Sequence, residues 1–311
     1  MIPPIRPEAT ALVRRSISRS DRVLVTGAGG WFGLTIAALL HSIGADAMYL
    51  TQRPRTLDFG SGTVSAVAWD LETIREFAPT VVIDCAFILR DYVGDMSIES
   101  YVHDNTVLTG RLLQLIQLNS VRVAVTVSSG AAVHPGDSSA VEVDANPYGF
   151  LKRQTELAAL QLGTETGTTV VVARPWSLSG SLVTRPDRYA FSNLIVQARA
   201  GGVKIQAPHE VLRRYVGVDD FFAVVLALGE RGGNAVLNSA GELVEFSALA
   251  ERILGVLDLE VAIERPEPST AAADDYYSRD SSWDDACARL GFEPATLEQQ
   301  ILSVDAYLRG A

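Results

Sequence analysis

Hydrophobic and polar positions run along the first half of the chain in two alternating rhythms. Short β-branched runs read as strands: Arg22–Thr26 (RVLVT), Ala47–Leu50, Val64–Trp69, Val81–Cys85, Val121–Val127 and Thr168–Ala173. Between them, apolar residues recur at helical spacing over Trp31–Ser42, Leu71–Phe77, Ile98–Leu118 and Pro147–Leu162. The first of these helices is expected to stop at Gly44, which can cap its C-terminus. Strands that are apolar almost throughout need cover on both faces, which a parallel sheet with crossover helices provides. Right-handed crossovers then predict a doubly wound α/β sheet. No Asn-Gly or Asp-Gly hairpin signal occurs in this half, and no internal repeat is visible.

After Arg174 the rhythm changes. Pro175–Arg188 reads as loop, followed by helices at Phe191–Ala200, Asp219–Leu228, Phe246–Leu254 and Thr296–Leu308. Short strands are expected at Val203–Gln206, Tyr215–Val218 and Ala235–Ser239, with a Pro-, Ala-, Ser- and Asp-rich tail from Pro266 to Ser282. The pattern predicts a smaller α+β lobe. Residues 21–175 form the sheet domain, 214–238 return to it, and 176–213 with 239–311 make the second lobe. Residues 1–20, with Pro3, Pro4 and Pro7 and no apolar core, read as a loosely held arm rather than a signal peptide. No apolar run approaches the roughly 20 residues that span a bilayer.

Composition narrows the function. The 311 residues carry 26 Lys+Arg against 37 Asp+Glu, a net charge of −11. That balance argues against a nucleic-acid footprint, which needs a basic face, but not against a small anionic ligand held by local arginines. Cys85 and Cys287 stand far apart, with no disulfide framework, so a reducing, cytoplasmic setting is expected. His41, His103, His134 and His209 are scattered, and no metal site is expected.

Three local motifs carry chemistry. Thr26-Gly27-Ala28-Gly29-Gly30-Trp31-Phe32-Gly33 follows a strand and opens a helix. Gly27 permits the tight turn, Gly30 lets a pyrophosphate approach the backbone, and Gly33 lets the helix pack on the sheet, with the helix N-terminus facing the anion. Tyr148 and Lys152 lie four apart on a helix, so they share a face. An ammonium beside the phenol would lower its pKa and make it a usable acid/base. Ser128 and Ser129 end a strongly apolar strand, where such sheets bind ligands.

Taken together, TGxxGxxG, the serine pair and YxxxK resemble the short-chain dehydrogenase/reductase superfamily. The length and second lobe are similar to its extended branch, the NAD(P)-dependent epimerase/dehydratase/reductase family. The resemblance runs from about Val23 to Leu308. It implies a Rossmann domain, with Asp70 and Leu71 at the adenine, Ala86 in the segment after the fourth strand, Asn105 supporting the site, and Pro175 beside the nicotinamide. Asp84 stands where the family usually has His. Sugar-modifying members carry a Ser or Thr at the position of Gly130, followed by a segment that His134-Pro135 replaces here, so the catalytic hydroxyl is assigned to Ser129, with Ser128 in reserve. Ala131 and Ala132 stand where dehydratases place an Asp-Glu pair, which argues against that reaction.

The resemblance implies an oxidoreductase or epimerase in which Tyr148 moves the proton, Lys152 holds the ribose and Ser129 orients the oxygen. Its substrate is expected to be a nucleotide-linked sugar, undergoing 4-keto reduction or 4-epimerisation, with Arg213 or Arg214 at the diphosphate and Asn193 also at the substrate; Arg214 is preferred. The alternatives are reduction of a non-sugar ketone and a catalytically silent dinucleotide-binding regulator. About 20 residues past the glycines an NAD-specific site would place a carboxylate. Thr51 stands there instead, with Arg53 and Arg55 following. NADP(H) is therefore expected over NAD(H). The resemblance also implies a homodimer through Ile98–Leu118 and Pro147–Leu162, whose Val107, Leu108, Leu112, Leu115, Leu151, Ala158 and Leu162 exceed what one sheet face needs.

Overall fold

A computed structural model describes residues 5–89, 96–133, 146–267, 269 and 273–310. Its elements, in order, are α1 (Pro7–Ser16), β1 (Arg22–Thr26), α2 (Trp31–Ile43), β2 (Asp46–Leu50), β3 (Arg55–Asp58), β4 (Thr63–Val67), α3 (Leu71–Phe77), β5 (Val81–Asp84), α4 (Ile98–Ile116), β6 (Val123–Val127), α5 (Pro147–Thr166) and β7 (Thr169–Arg174). There follow β8 (Ser177–Ser179), α6 (Ala190–Arg199), β9 (Val203–Lys204), β10 (Val211–Gly217), α7 (Val218–Gly229), β11 (Ala235–Asn238), β12 (Glu242–Glu245), α8 (Phe246–Leu257), β13 (Ile263–Glu264), β14 (Asp274–Asp275), α9 (Ser282–Leu290) and α10 (Leu297–Gly310).

The apolar strands assemble into an eight-stranded sheet in the order β11-β7-β6-β5-β1-β2-β4-β3, an α/β doubly wound arrangement. All pairings in it are parallel except β3 against β4. Thr26 pairs with Asp84, and Asp84 with Thr126, so the C-terminal ends of β1, β5 and β6 are level. The glycine turn, the segment 85–89 and the serine pair therefore emerge along one edge. The two faces of the sheet bury separate clusters, one around Val25, Ile83, Val125 and Phe221, the other around Leu24, Val82, Leu112 and Val172.

The second lobe is built on β12, β10 and β14, with β8 alongside β10. Its core joins α6, α8 and α10 through Phe191, Ile195, Ile253 and Ile301. The chain then crosses back: α7 packs against β6 and β7, and β11 extends the large sheet, while β10 stays with the small one.

Several expectations change. Within the arm expected over residues 1–20, of which 5–20 are described, α1 buries Ala9, Leu12 and Val13 against α7 and α2. Pro7 sits in its first turn, where a missing N–H costs nothing, so proline starts this helix rather than preventing it. Arg6, just before it, donates from its backbone to Asp219 at 3.0 Å and from its guanidinium to Asp220 at 2.5 Å. The β3–β4 hairpin also escapes the two-residue turn signals: its longer loop is held by Asp58 accepting from the Gly60 amide at 2.8 Å and by Phe59 N–H donating to the Gly62 carbonyl at 3.1 Å. Helix α9 begins at Ser282, where the expected Pro- and Ser-rich tail ends, in a stretch for which the sequence predicted no element. No helix among the described residues is long and apolar enough to cross a membrane.

Candidate active site

The glycine turn is shaped by contact. Gly27 has φ +60°, and a Cβ there would meet the Cys85 carbonyl carbon at 2.6 Å. A Cβ on Gly33 would meet the Gly27 carbonyl oxygen at 2.4 Å, so α2 packs on the turn only because residue 33 is glycine. Gly30 caps α2 without any side-chain hydrogen bond, which leaves the first-turn N–H groups facing the cleft. This cradle fits the pyrophosphate of a dinucleotide. A cavity of about 500 Å³ opens over it, lined by Gly27, Gly30, Trp31, Phe32, Gly33, Thr51, Arg53 and Ala86 among others. A second, of about 610 Å³, shares Gly27, Thr51 and Ala86 with it and runs to Trp69 and Arg111. A third, of about 370 Å³, shares Trp31 and Phe32 and reaches Ser129, Tyr148, Pro175 and Trp176. The three make one continuous cleft along the strand ends.

The expected residues divide within it. Asp70 does not line the cleft: its exposed carboxylate caps α3, accepting from the Thr73 amide at 3.1 Å and from the Thr73 hydroxyl. Leu71 is absent from the lining too, and Trp69 takes the place at the wall. The Thr51 hydroxyl donates to the Arg53 carbonyl at 2.7 Å, so it secures the turn after β2. Arg55 opens β3 and lays its guanidinium on the Gly29 carbonyl at 2.9 Å. Asn105 is fully buried outside the cleft lining. Its Oδ1 accepts from the Ile88 amide at 2.8 Å and its Nδ2 donates to the Tyr101 carbonyl at 3.2 Å, which pins segment 85–89 to α4.

At the catalytic end, the two serines part company. Ser128 donates to Glu156 at 2.6 Å. Glu156, 0% exposed, also receives both guanidinium donors of Arg174 at 2.7 and 2.6 Å and one from Arg153 at 3.0 Å. This buried, fully bonded carboxylate ties α5 to β6 and β7. Ser129 instead lines the cleft; its Oγ accepts from the Ala131 amide at 3.2 Å, leaving its own proton to give. Gly130 holds no side chain because the Trp176 indole covers it, 2.3 Å from where a Cβ would lie. His134 and Pro135 lie outside the described residues.

Tyr148 and Lys152 both come from α5, as their spacing requires, but the electrostatics differ from the expectation. Lys152 Nζ donates to the Val127 carbonyl at 2.6 Å and sits 3.7 Å from the centre of the Phe87 ring. Burial lowers its pKa to about 8, against the nearby charges of Asp84, Cys85 and Glu156. Burial pushes the Tyr148 phenol above its ordinary value, hydrogen bonding with Ser129 opposes that rise, and Lys152 is not among the groups that lower it. Asp84, where His was expected from the family pattern, is buried below the site and accepts from the Thr26 hydroxyl at 2.5 Å. Burial raises its pKa to about 6, opposed by Thr26 and by the Lys152 charge.

In the second lobe the arginine assignment shifts by one. Arg213 lines the cleft; Arg214 faces Tyr277, at 5.8 Å from its ring centre, because neighbours on a strand point to opposite faces. Asn193 does not line the cleft: its Nδ2 donates to the Asp187 carbonyl at 2.9 Å, and its Oδ1 accepts from Gln197. Phe87, Trp176 and Tyr276 are site residues that the motifs missed. Only the Trp176 position, inside Arg174-Pro175-Trp176, carried a local signal. Among the described residues no cluster of His, Cys, Asp and Glu could hold a metal ion.

The fold recurs in solved structures. A UDP-glucose 4-epimerase from Thermotoga maritima with UDP-glucose matches at a TM-score of 0.73 and 22% identity, covering 93% of this chain and 99% of that one. A UDP-glucose 4-epimerase from Brucella ovis in complex with NAD matches at 0.70 and 19%, covering 92% and 98%. A UDP-N-acetylglucosamine 4-epimerase from Methanobrevibacter ruminantium in complex with UDP-N-acetylmuramic acid matches at 0.74 and 17%, covering 94% and 99%. At these identities the likeness speaks for the fold. No curated protein matches the chain significantly. The family model for the NAD dependent epimerase/dehydratase family matches residues 23–239, more than half the chain, including the glycine turn, Ser129 and the helix residues Tyr148 and Lys152. The chain therefore belongs to that family, whose members are enzymes of the extended short-chain dehydrogenase/reductase type.

Proposed function

We propose that this enzyme interconverts a carbonyl and a secondary alcohol on a nucleotide-linked sugar, by 4-keto reduction or 4-epimerisation. The observation that carries the reading is the placement of Ser129 and Tyr148 in a cavity continuous with the glycine-turn cavity. A nicotinamide dinucleotide bound along that cleft would supply or accept the hydride. Tyr148 gives its phenolic proton to the carbonyl oxygen as that oxygen gains charge, and takes it back in the reverse direction. Ser129 donates a hydrogen bond to the same oxygen. Lys152, one helical turn from Tyr148, carries a positive charge at the floor of the site beside the Val127 carbonyl, where it would hold the ribose of the nicotinamide. Arg213 is the cation at the substrate end.

Tyr148→Phe keeps the ring and removes the proton. Turnover should fall at least about 10²-fold with cofactor affinity unchanged, and full turnover in the folded variant would refute the assignment. A panel of UDP-, GDP-, CDP- and dTDP-linked sugars and 4-keto sugars, followed by nicotinamide absorbance and NMR, separates net reduction from epimerisation. A second reading, reduction of a non-sugar ketone, is favoured by one observation: Arg213 is already paired with Asp274, at 2.8 Å.

For the cofactor, we infer a preference for NADP(H), with NAD(H) also accepted. Support comes from Arg53 in the cavity lining and from the lack of a carboxylate at Thr51. Arg53→Ala should weaken NADPH binding more than NADH binding. Equal losses in parallel titrations would remove Arg53 as a phosphate reader.

A further inference from the structure

Trp176 is held in place from several sides. It follows Pro175 at the end of β7, and its indole covers Gly130 so closely that only glycine fits there. Its indole N–H donates to Asn238 Oδ1 at 2.9 Å, and its main-chain N–H donates to the Ser239 hydroxyl at 2.8 Å. Asn238 is itself fixed, donating through Nδ2 to Asp280 at 2.5 Å. Tyr276, from the second lobe, packs on the indole with ring centres 4.9 Å apart, and its hydroxyl lies 3.4 Å from Ser129 Oγ. Both aromatic residues are half-buried and line the catalytic cavity.

The charge beside them is already matched. The Arg213 guanidinium lies 5.6 Å from the ring centres of both Tyr276 and Phe246, and it is bonded to the Asp274 carboxylate at 2.8 and 3.2 Å. This end of the cavity therefore offers aromatic faces and a neutralised cation. Such faces attract the polarised C–H groups of a saturated ring or stack against a flat one.

We propose that Trp176 and Tyr276 form an aromatic wall against which the reacting ring of the substrate packs by an apolar face, and that this wall determines specificity. The proposal rests on the reading of Ser129 and Tyr148 as the pair that handles the carbonyl. The ligand chemistry is a ring with one apolar face that bears the reacting carbonyl. It can come from the sugar ring of a nucleotide-linked 4-keto sugar or from a flat carbocyclic ketone. The wall fixes which face of the ring meets the nicotinamide side of the cleft, and Ser129 lies at its edge, within reach of the carbonyl oxygen.

The test is steady-state kinetics with NADPH on three probes: dTDP-4-keto-6-deoxyglucose, a fused-ring aryl ketone such as 1-tetralone, and acetone, which has no ring. Trp176→Leu should raise KM for the preferred ring probe about 10-fold, while KM for acetone and the affinity for NADPH stay within twofold. Tyr276→Leu, which leaves Gly130 covered, should move the same parameter in the same direction, and Trp176→Phe should restore most of the loss. The ring probe with the lower wild-type KM identifies the source. Unchanged ring-probe KM in both leucine variants, or an equal rise for acetone, overturns the proposal. If the wild type reduces none of the three, net reduction fails separately and 4-epimerisation is the reading that stands. The wall is then judged by titrating the ring probes into the NADPH complex, where a tenfold affinity loss in Trp176→Leu supports it and equal affinity overturns it.

Discussion

Glu156 decides which of two adjacent serines is free for chemistry. Its carboxylate is buried among Arg174, Arg153 and Ser128, and Ser128 spends its proton there. Ser129, one place on, points to the opposite side of the strand end and into the cleft. Ser129→Ala should therefore cost at least about tenfold in turnover and leave the melting temperature alone. Ser128→Ala should do the reverse, removing one donor from a buried charge at a cost of about 1–3 kcal/mol while retaining most turnover. Thermal melts and initial rates on both variants check this, and the opposite ranking would move the catalytic hydroxyl to Ser128. Lys152 adds a pH dependence. Its cation is intact below about 8 and is lost as pH rises through that value, so kcat/KM should show an alkaline limb near pH 8. Lys152→Arg, which cannot deprotonate, should abolish the limb. The stability sign is opposite to the activity sign. Between about 8 and the ordinary 10.5 the unfolded chain binds more protons than the folded one, so Lys152 makes folding more favourable as pH rises across that window.

Helix α1 shows what one element contributes beyond its own turns. Arg6 meets Asp220, whose carboxyl is buried and raised to about 7 by burial and by the neighbouring Asp219 charge, with Arg6 and the Ala295 amide opposing. Arg6→Ala should leave that carboxylate without a countercharge and cost on the order of 3 kcal/mol at pH 8. The loss should shrink toward pH 5, where Asp220 is protonated, and a denaturant series at the two pH values reads it; equal losses would mean Arg6 acts by packing alone. Elements that depend on their own residues were legible in the sequence: Arg22–Thr26 and Leu71–Phe77 carry the same bounds in the structure. The glycine turn was legible for the same reason, since turn, strand and helix are contiguous. α1 was hidden because Pro7 and the two prolines that precede it in the sequence read as a loose arm and because the partner that buries it, α7, lies some two hundred residues away. Trp176 and Tyr276 were hidden because only the folded chain brings residues a hundred positions apart onto Ser129. Asp70 misled because one carboxylate can match a family position and still be taken by a helix cap.

At the scale of the whole molecule, α4 and α5 lie side by side, and their apolar surplus is smaller than the sequence implied. Leu112, Leu115 and Leu151 are spent in the core, while Val107 remains 43% and Leu157 45% exposed. We propose that these two helices meet their symmetry mates in a twofold dimer. Light scattering should give twice the chain's 33.4 kDa, and Val107→Glu should return it to that mass; a wild type at 33.4 kDa would refute the contact. The return of β11 to the large sheet has a further consequence. The two lobes are laced together by a chain that leaves the sheet after β7 and re-enters it at β11, on the outer side of β7. Cutting the gene after residue 175 would not release a self-sufficient nucleotide-binding half. It would strip β7 of its outer neighbour and turn Thr169-Val170-Val171-Val172-Ala173 into an edge strand, with the amides and carbonyls that face β11 unpaired. Such a fragment should stack edge to edge with its own kind, and a gene encoding residues 176–311 supplied in trans should rescue its solubility by returning β11 to that edge.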